Sequence, residues 1–245
     1  MIKLIIFDLD GPILDSFETA KTAISKTRKN LIESGTIAES KLPQPTDDAI
    51  TKSWGLPGDM TIAQMFGSLS QEEVKQFMAA WASDEQNSVN LINGAPETLD
   101  QLRKMGYYMG VLTSRARNLG VHLSPLDLEK LFDFIQSWHN PALGEARLIC
   151  KNHSISPCHK PDPLVFKKIF GWAEGKGVKK EEMVLIDDTL IGKKAAEGVG
   201  INFLGVCTGP LDSKEKWQQY GKLDQKQVLS SIVELPNWLE EHGRT

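Results

Sequence analysis

The chain has 245 residues, 40% of them hydrophobic and 24% charged, with no extreme bias; it can bury a full core as one large domain or two small ones. Its formal net charge of −4 gives no electrostatic case for nucleic acid as the main partner, and no apolar run is long enough to cross a bilayer. Three cysteines fit a reducing cytoplasm better than a disulfide scaffold, and the apolar opening Met1–Phe7, interrupted by Lys3 and running straight into acids, is unlike a secretory signal.

Ile2–Phe7 is a run of β-branched and aromatic residues that ends in Asp8-Leu9-Asp10-Gly11. It reads as a core strand feeding a tight turn, which delivers both acids to the carboxyl end of a sheet, where open α/β folds bind ligands. Side chains two positions apart on a strand share a face. Two carboxylates about 4 Å apart repel by about 4 kcal/mol at an effective dielectric near 20, so one keeps its proton or a cation neutralises the pair. A metal-bound carboxylate can serve as a nucleophile while its neighbour carries protons. The competing reading is an ordinary strand end in which Asp caps a turn.

From Asp15 to about Asn90 the pattern changes to amphipathic helices. Ser70-Gln71-Glu72-Glu73 has the form of a capping box, with Val74, Phe77, Met78 and Trp81 following on one face. Lys41–Met60, rich in Pro, Asp and Gly, reads as loops linking short helices. Strand and helix then alternate. Pro96 opens a helix with Leu99, Leu102 and Met105 inward, and Gly106 ends it. Tyr107–Leu112 forms a strand that runs into Thr113-Ser114. Ser124-Pro125 starts another helix, with Leu128 and Leu131 inward. Lys160-Pro161-Asp162-Pro163 precedes a helical stretch at Leu164–Phe170, Met183–Ile186 runs into Asp187-Asp188-Thr189, and Asn202–Val206 is a further strand. This order argues for a mainly parallel sheet covered by helices on both sides.

Asp8-Leu9-Asp10-Gly11, then Thr113, then Lys160, then Asp187-Asp188, together with Asn93-Gly94-Ala95-Pro96-Glu97-Thr98-Leu99 and Gly205-Val206-Cys207-Thr208-Gly209, resemble the haloacid dehalogenase superfamily along nearly the whole chain. The likeness is to its phosphoglycolate phosphatase-like branch. It implies an α/β fold with a Rossmann-like three-layer core (residues 1–15 and 91–245) and a helical cap domain (residues 16–90) inserted after the first strand. The activity it implies is Mg²⁺-dependent hydrolysis of a small phosphorylated metabolite. By this resemblance Asp8 is the nucleophile and Asp10 the general acid and base. Thr113 and Ser114 hold phosphate oxygens beside Gly11, and Lys160 offsets their charge. Asp188, with Asp187 nearby, completes a Mg²⁺ site with the Asp8 carboxylate and the Asp10 carbonyl.

Two positions depart from the family pattern. Pro12 replaces a Thr common after the motif's glycine, and Gly192 stands where many relatives carry a second metal-associated acid, a role that Asp187 could take. A phosphomutase of the same fold is a second reading, weakened by the absence of a histidine in Phe17-Glu18-Thr19-Ala20. A non-catalytic phospho-ligand-binding regulator is a third. Other residues are ambiguous. Cys150, His153, Cys158 and His159 could bind zinc, although adjacent Cys158 and His159 suit one tetrahedral ion poorly. Cys207 reads as a small buried hydrophobe, Trp54 as a substrate wall or a packing anchor, and Arg115 as a phosphate contact or a surface ion pair. Oligomeric state leaves no trace in the sequence.

Overall fold

The computed structural model describes residues 1–84, 89–115, 120, 123–138 and 148–242. Strand β1 (Leu4–Phe7) leads through short β2 (Leu14–Asp15) to helices α1 (Phe17–Glu33), α2 (Asp47–Ser53), α3 (Gly58–Phe66) and α4 (Gln71–Asp84), and then to β3 (Asn90–Leu91). Next come α5 (Ala95–Lys104), β4 (Tyr108–Thr113), α6 (Leu128–Leu131), β5 (Phe134–Trp138), β6 (His153–Ser156) and α7 (Lys167–Gly175). Further along lie β7 (Met183–Asp187), α8 (Leu190–Val199), β8 (Asn202–Val206), β9 (Val228–Leu229) and α9 (Leu235–His242), with short helical turns between them.

Seven strands form one sheet in the order β6-β5-β4-β1-β7-β8-β9, with every neighbouring pair parallel. All four side chains of β1 are buried, as a strand covered by helices on both faces requires. Its period of two divides them. Ile5 and Phe7 join Met109, Val111, Val184 and Ile186 in one apolar cluster, whereas Leu4 and Ile6 join Leu112, Met183 and Leu185 in the other. Phe7 pairs in register with both Val111 and Ile186. The residues that follow, Asp8, Leu112-Thr113 and Asp187-Asp188, therefore leave the sheet side by side.

Helices α1 to α4 close on a third cluster that includes Ile24, Leu31, Trp54, Ile62, Phe66, Phe77 and Trp81. The expected capping box is present: Ser70 N donates to Glu73 Oε2 (2.8 Å) and Glu73 N to Ser70 Oγ (3.3 Å). The chain leaves for these helices and returns from them along an antiparallel pair, Leu14 opposite Leu91 and Asp15 opposite Asn90.

Some local expectations change. Met105 is 38% exposed, because six residues beyond Leu99 it has turned about 240° around the helix and left the inward stripe. Ser124-Pro125 lies in turns, and helix begins only at Leu128; Leu131 packs against the first cluster, while the Leu128 side chain is outside the described residues. Leu164–Phe170 begins as a 3₁₀ turn, Pro163–Phe166, that continues into α7. Removing the cap hydroxyl in Ser70→Ala should lower the unfolding free energy by about 1 kcal/mol. Emptying the third cluster in Phe77→Ala should cost about 3–5 kcal/mol. Urea titration measures both.

Candidate active site

Asp8, at the end of β1, is 4% exposed; Lys160 is 1% exposed, and Asp187 and Asp188 are fully buried. Lys160 Nζ lies 3.1 Å from Asp8 Oδ1 and 2.5 Å from Asp187 Oδ2. The other oxygen of Asp187 accepts from Thr189 N (2.9 Å) and Thr189 Oγ1 (2.7 Å). That hydroxyl also caps α8 by accepting from Gly192 N at 3.0 Å. Asp187 is thus engaged at both oxygens. Asp188 is not: its two oxygens are buried and, among the described residues, have no hydrogen-bond partner. Asp8, Asp187 and Asp188 each place one oxygen within 4.8 Å of the others.

Glycines make room for this acid pair. A Cβ on Gly11 would stand 2.3 Å from Asp188 Cγ, one on Gly209 would stand 1.8 Å from Asp188 Oδ2, and one on Gly192 would stand 2.1 Å from Asp187 Cγ. At Gly192, where the resemblance led to the expectation of a second acid, a side chain would displace the Asp187 carboxylate. Gly11 has φ +93° and donates its N–H to Leu14 O at 2.8 Å. The tight turn expected after the motif forms with Pro12 in it.

The charges do not balance. Burial pushes the Asp8 carboxyl up to about 7; Lys160 opposes the shift, and Asp187 and Asp10 add to it. Burial, reinforced by Asp187 and Asp8, raises Asp188 well above the usual carboxylate range. For Lys160, burial works against the charge, but Asp187 and Asp8 outweigh it and hold the ammonium above its ordinary value. Three carboxylates against one ammonium leave two negative charges if all are ionised. An all-oxygen donor set, the orphaned Asp188 oxygens and that deficit fit a hard divalent cation such as Mg²⁺.

Asp10 turns away from this trio. Arg115 clamps it, with Nε 2.9 Å from Oδ2 and Nη2 2.5 Å from Oδ1. With 18% of its side chain exposed, Arg115 belongs to the site and is no surface ion pair. Its backbone N–H donates to Thr113 Oγ1 at 3.0 Å, and Ser114 Oγ is buried with no partner among the described residues. Asp8, Asp10, Thr113, Ser114 and Arg115 floor a cavity of about 190 Å³, with Trp54, Leu56, Met78 and Trp81 on its far wall.

The residues weighed for zinc do not converge. His153 contacts Ser137 Oγ through Nε2 (2.8 Å) and accepts from Ile149 N at Nδ1 (3.2 Å), and burial lowers its pKa. His159 Nδ1 lies 2.6 Å from Lys160 O. Among the described residues, the three aspartates are the sole group at ligand spacing. Cys207 lies just past β8, packs against the second cluster, and is pushed up to about 11 by burial; it is a thiol used as a hydrophobe. Sequence reading passed over Thr189, although a Thr just ahead of a helix is an N-cap signal.

A parallel sheet that brings a buried acid trio, a buried lysine and strand-end hydroxyls to one edge makes the carboxyl end of this α/β fold the candidate site of a hydrolase. Residues 5–141 match the family model for haloacid dehalogenase-like hydrolases, and the chain belongs to that family. It is 24% identical to phosphoglycolate phosphatase of Pseudomonas putida over 229 residues, covering 86% of this chain and 74% of that one. Glyceraldehyde 3-phosphate phosphatase of Pyrococcus furiosus is 25% identical over 257 residues, covering 98% and 92%. A solved haloacid dehalogenase-like hydrolase from Bacteroides fragilis matches with a TM-score of 0.66 at 20% identity, over 96% of this chain and 100% of that one.

The raised acids set the pH dependence of stability. Between about 4 and about 7 the folded state keeps a proton on Asp8 that the unfolded state has released, so metal-free protein loses stability as pH rises through that window. Asp188 acts in the same direction. Thermal unfolding in EDTA should show the melting temperature falling with pH. Mg²⁺ should restore it most at the alkaline end, because binding requires ionised carboxylates. Asp188→Asn should flatten the metal-free profile and remove most of the Mg²⁺ response.

Proposed function

We propose that this hydrolase is a Mg²⁺-dependent phosphatase that cleaves a small phosphorylated metabolite through an aspartyl-phosphate on Asp8. The observation that carries this reading is the buried trio of Asp8, Asp187 and Asp188 around Lys160, facing a cavity beside Thr113 and Arg115. The named phosphatase relatives support the substrate class. Residues 16–90, with an apolar cluster of their own over the cavity, act as a cap that keeps bulk water out during turnover. Free cysteines at 150, 158 and 207 suit the reducing cytoplasm.

Asp8, Asp188 and the Asp10 carbonyl would hold Mg²⁺, which when bound neutralises the acids and draws charge from the phosphoryl oxygens. Asp187 holds Lys160 and the start of α8. In the first step a carboxylate oxygen of Asp8 forms a bond to phosphorus as the bond to the leaving oxygen breaks, and Asp10 gives that oxygen its proton. In the second, Asp10 takes a proton from water, the water oxygen attacks phosphorus, and the acyl phosphate bond breaks to restore Asp8. Lys160, Thr113 and Ser114 bear on the phosphoryl charge throughout. Before Asp10 can reach the leaving oxygen, the guanidinium of Arg115 has to release it. A phosphoryl group offers Arg115 an equally bidentate and more highly charged partner.

Hydrolysis of p-nitrophenyl phosphate tests the reading. Activity should vanish in EDTA, return with Mg²⁺ without a bisphosphorylated activator, and fall to background in Asp8→Asn with the fold intact by circular dichroism. Asp10→Asn should lower kcat about 10²–10⁴-fold. Loss of charged hydrogen bonds in Arg115→Ala should lower kcat/KM by about 10–100-fold. Wild-type protein that turns over no phosphomonoester would end the proposal.

A further inference from the structure

We infer that Gly55 is a positioning residue for the reaction: its bare Cα seats the inserted helices on Thr189 and so holds Trp54 and Leu56 over Asp8. The inference rests on the phosphatase reading above and assigns a residue of the insert to the same site.

Just past α2, Gly55 has φ +93°, in the left-handed region where a side chain is strained. The fold sets it against the residue that opens α8. A Cβ on Gly55 would stand 2.8 Å from Thr189 Oγ1 and 3.1 Å from both Thr189 Cβ and Thr189 Cγ2, well inside the distance of about 3.5–4.0 Å at which carbon atoms pack. Thr189 has little freedom to yield. It is 1% exposed and branched at Cβ, and its hydroxyl donates to Asp187 Oδ1 (2.7 Å) while accepting from Gly192 N (3.0 Å). Moving it would break both bonds in a buried place, where neither partner finds water instead. A side chain at position 55 therefore lifts the loop that carries it.

The neighbours of Gly55 give this contact its consequence. Trp54, Gly55 and Leu56 line the cavity together with Thr189. Trp54 meets Phe17 of α1 edge-on at 4.9 Å and belongs to the third apolar cluster, so a displaced loop takes packing of the insert with it. On the other side of the contact, Thr189 holds Asp187, and the second oxygen of Asp187 holds Lys160 beside Asp8. The insert is thus registered on the side chain that steadies the charge cluster. Lifting the wall by about 1 Å is enough to misplace a leaving group and to admit water.

A double-mutant cycle tests the contact, read as turnover of p-nitrophenyl phosphate with Mg²⁺. Gly55→Ala should lower kcat/KM by about 10–100-fold. In a Thr189→Ala background, which removes Oγ1 and Cγ2 and makes room for the new methyl, the same substitution should cost about threefold or less relative to that background. Backbone strain at position 55 enters both arms of the cycle and cancels. Acrylamide quenching of tryptophan fluorescence on the folded proteins gives a readout independent of turnover: it should rise in Gly55→Ala and fall back toward the wild-type value in the double variant. Equal losses from Gly55→Ala in the two backgrounds, or quenching unchanged by Gly55→Ala, would overturn the inference and leave the phosphatase reading standing. Quenching that rises and is restored as expected, in a protein that hydrolyses no phosphomonoester, would uphold the seating of the insert and remove the phosphatase reading instead.

Discussion

Lys160 is a positive charge buried among three buried carboxylates, and the rest of the site is arranged around that imbalance. An ammonium taken out of water needs partners at close range; Asp187 and Asp8 supply them from two neighbouring strands. Once Lys160 is committed to those two, Asp188 has no counter-charge of its own among the described residues. Its oxygens face a niche walled by the Cα atoms of Gly11 and Gly209. The protein thus keeps one carboxylate unsatisfied in its interior, an arrangement that costs stability unless a cation arrives.

The two central acids do different work although they are neighbours in sequence. Asp187 is bound at both oxygens and anchors the lysine and the first turn of α8. Asp188 is bound at neither among the described residues. The same division separates Asp8 from Asp10: one sits inside the charge cluster, while the other is drawn outward by a guanidinium. Both line the cavity, but two residues of separation just past β1 leave Asp8 buried and Asp10 more exposed beside Arg115, where protons can be exchanged.

What could be read in advance follows from how local each signal is. The strands at Ile2–Phe7 and Met183–Ile186 were legible because burial on both faces demands an unbroken apolar run, and the Ser70 capping box because its partners are three residues apart. Parallel pairing in register then brings Asp8, Thr113 and Asp187 together, so the order of motifs carried most of the candidate site. The Arg115 to Asp10 clamp joins residues 105 positions apart, and no periodicity announces such a contact. Gly192 looked like a missing acid in one dimension. In three dimensions it is the space that the Asp187 carboxylate fills. The tryptophans of the far wall were visible as residues but not as a surface, because their convergence depends on the packing of α1 to α4.

The short antiparallel pair of β2 and β3 sets the entrance and exit of the inserted helices next to each other. A polypeptide that departs and comes back through one narrow neck can lengthen, shorten or be exchanged outright without altering the register of the parallel strands beneath. Descent can therefore trade the insert alone, while the strand-end side chains beneath it stay where they are.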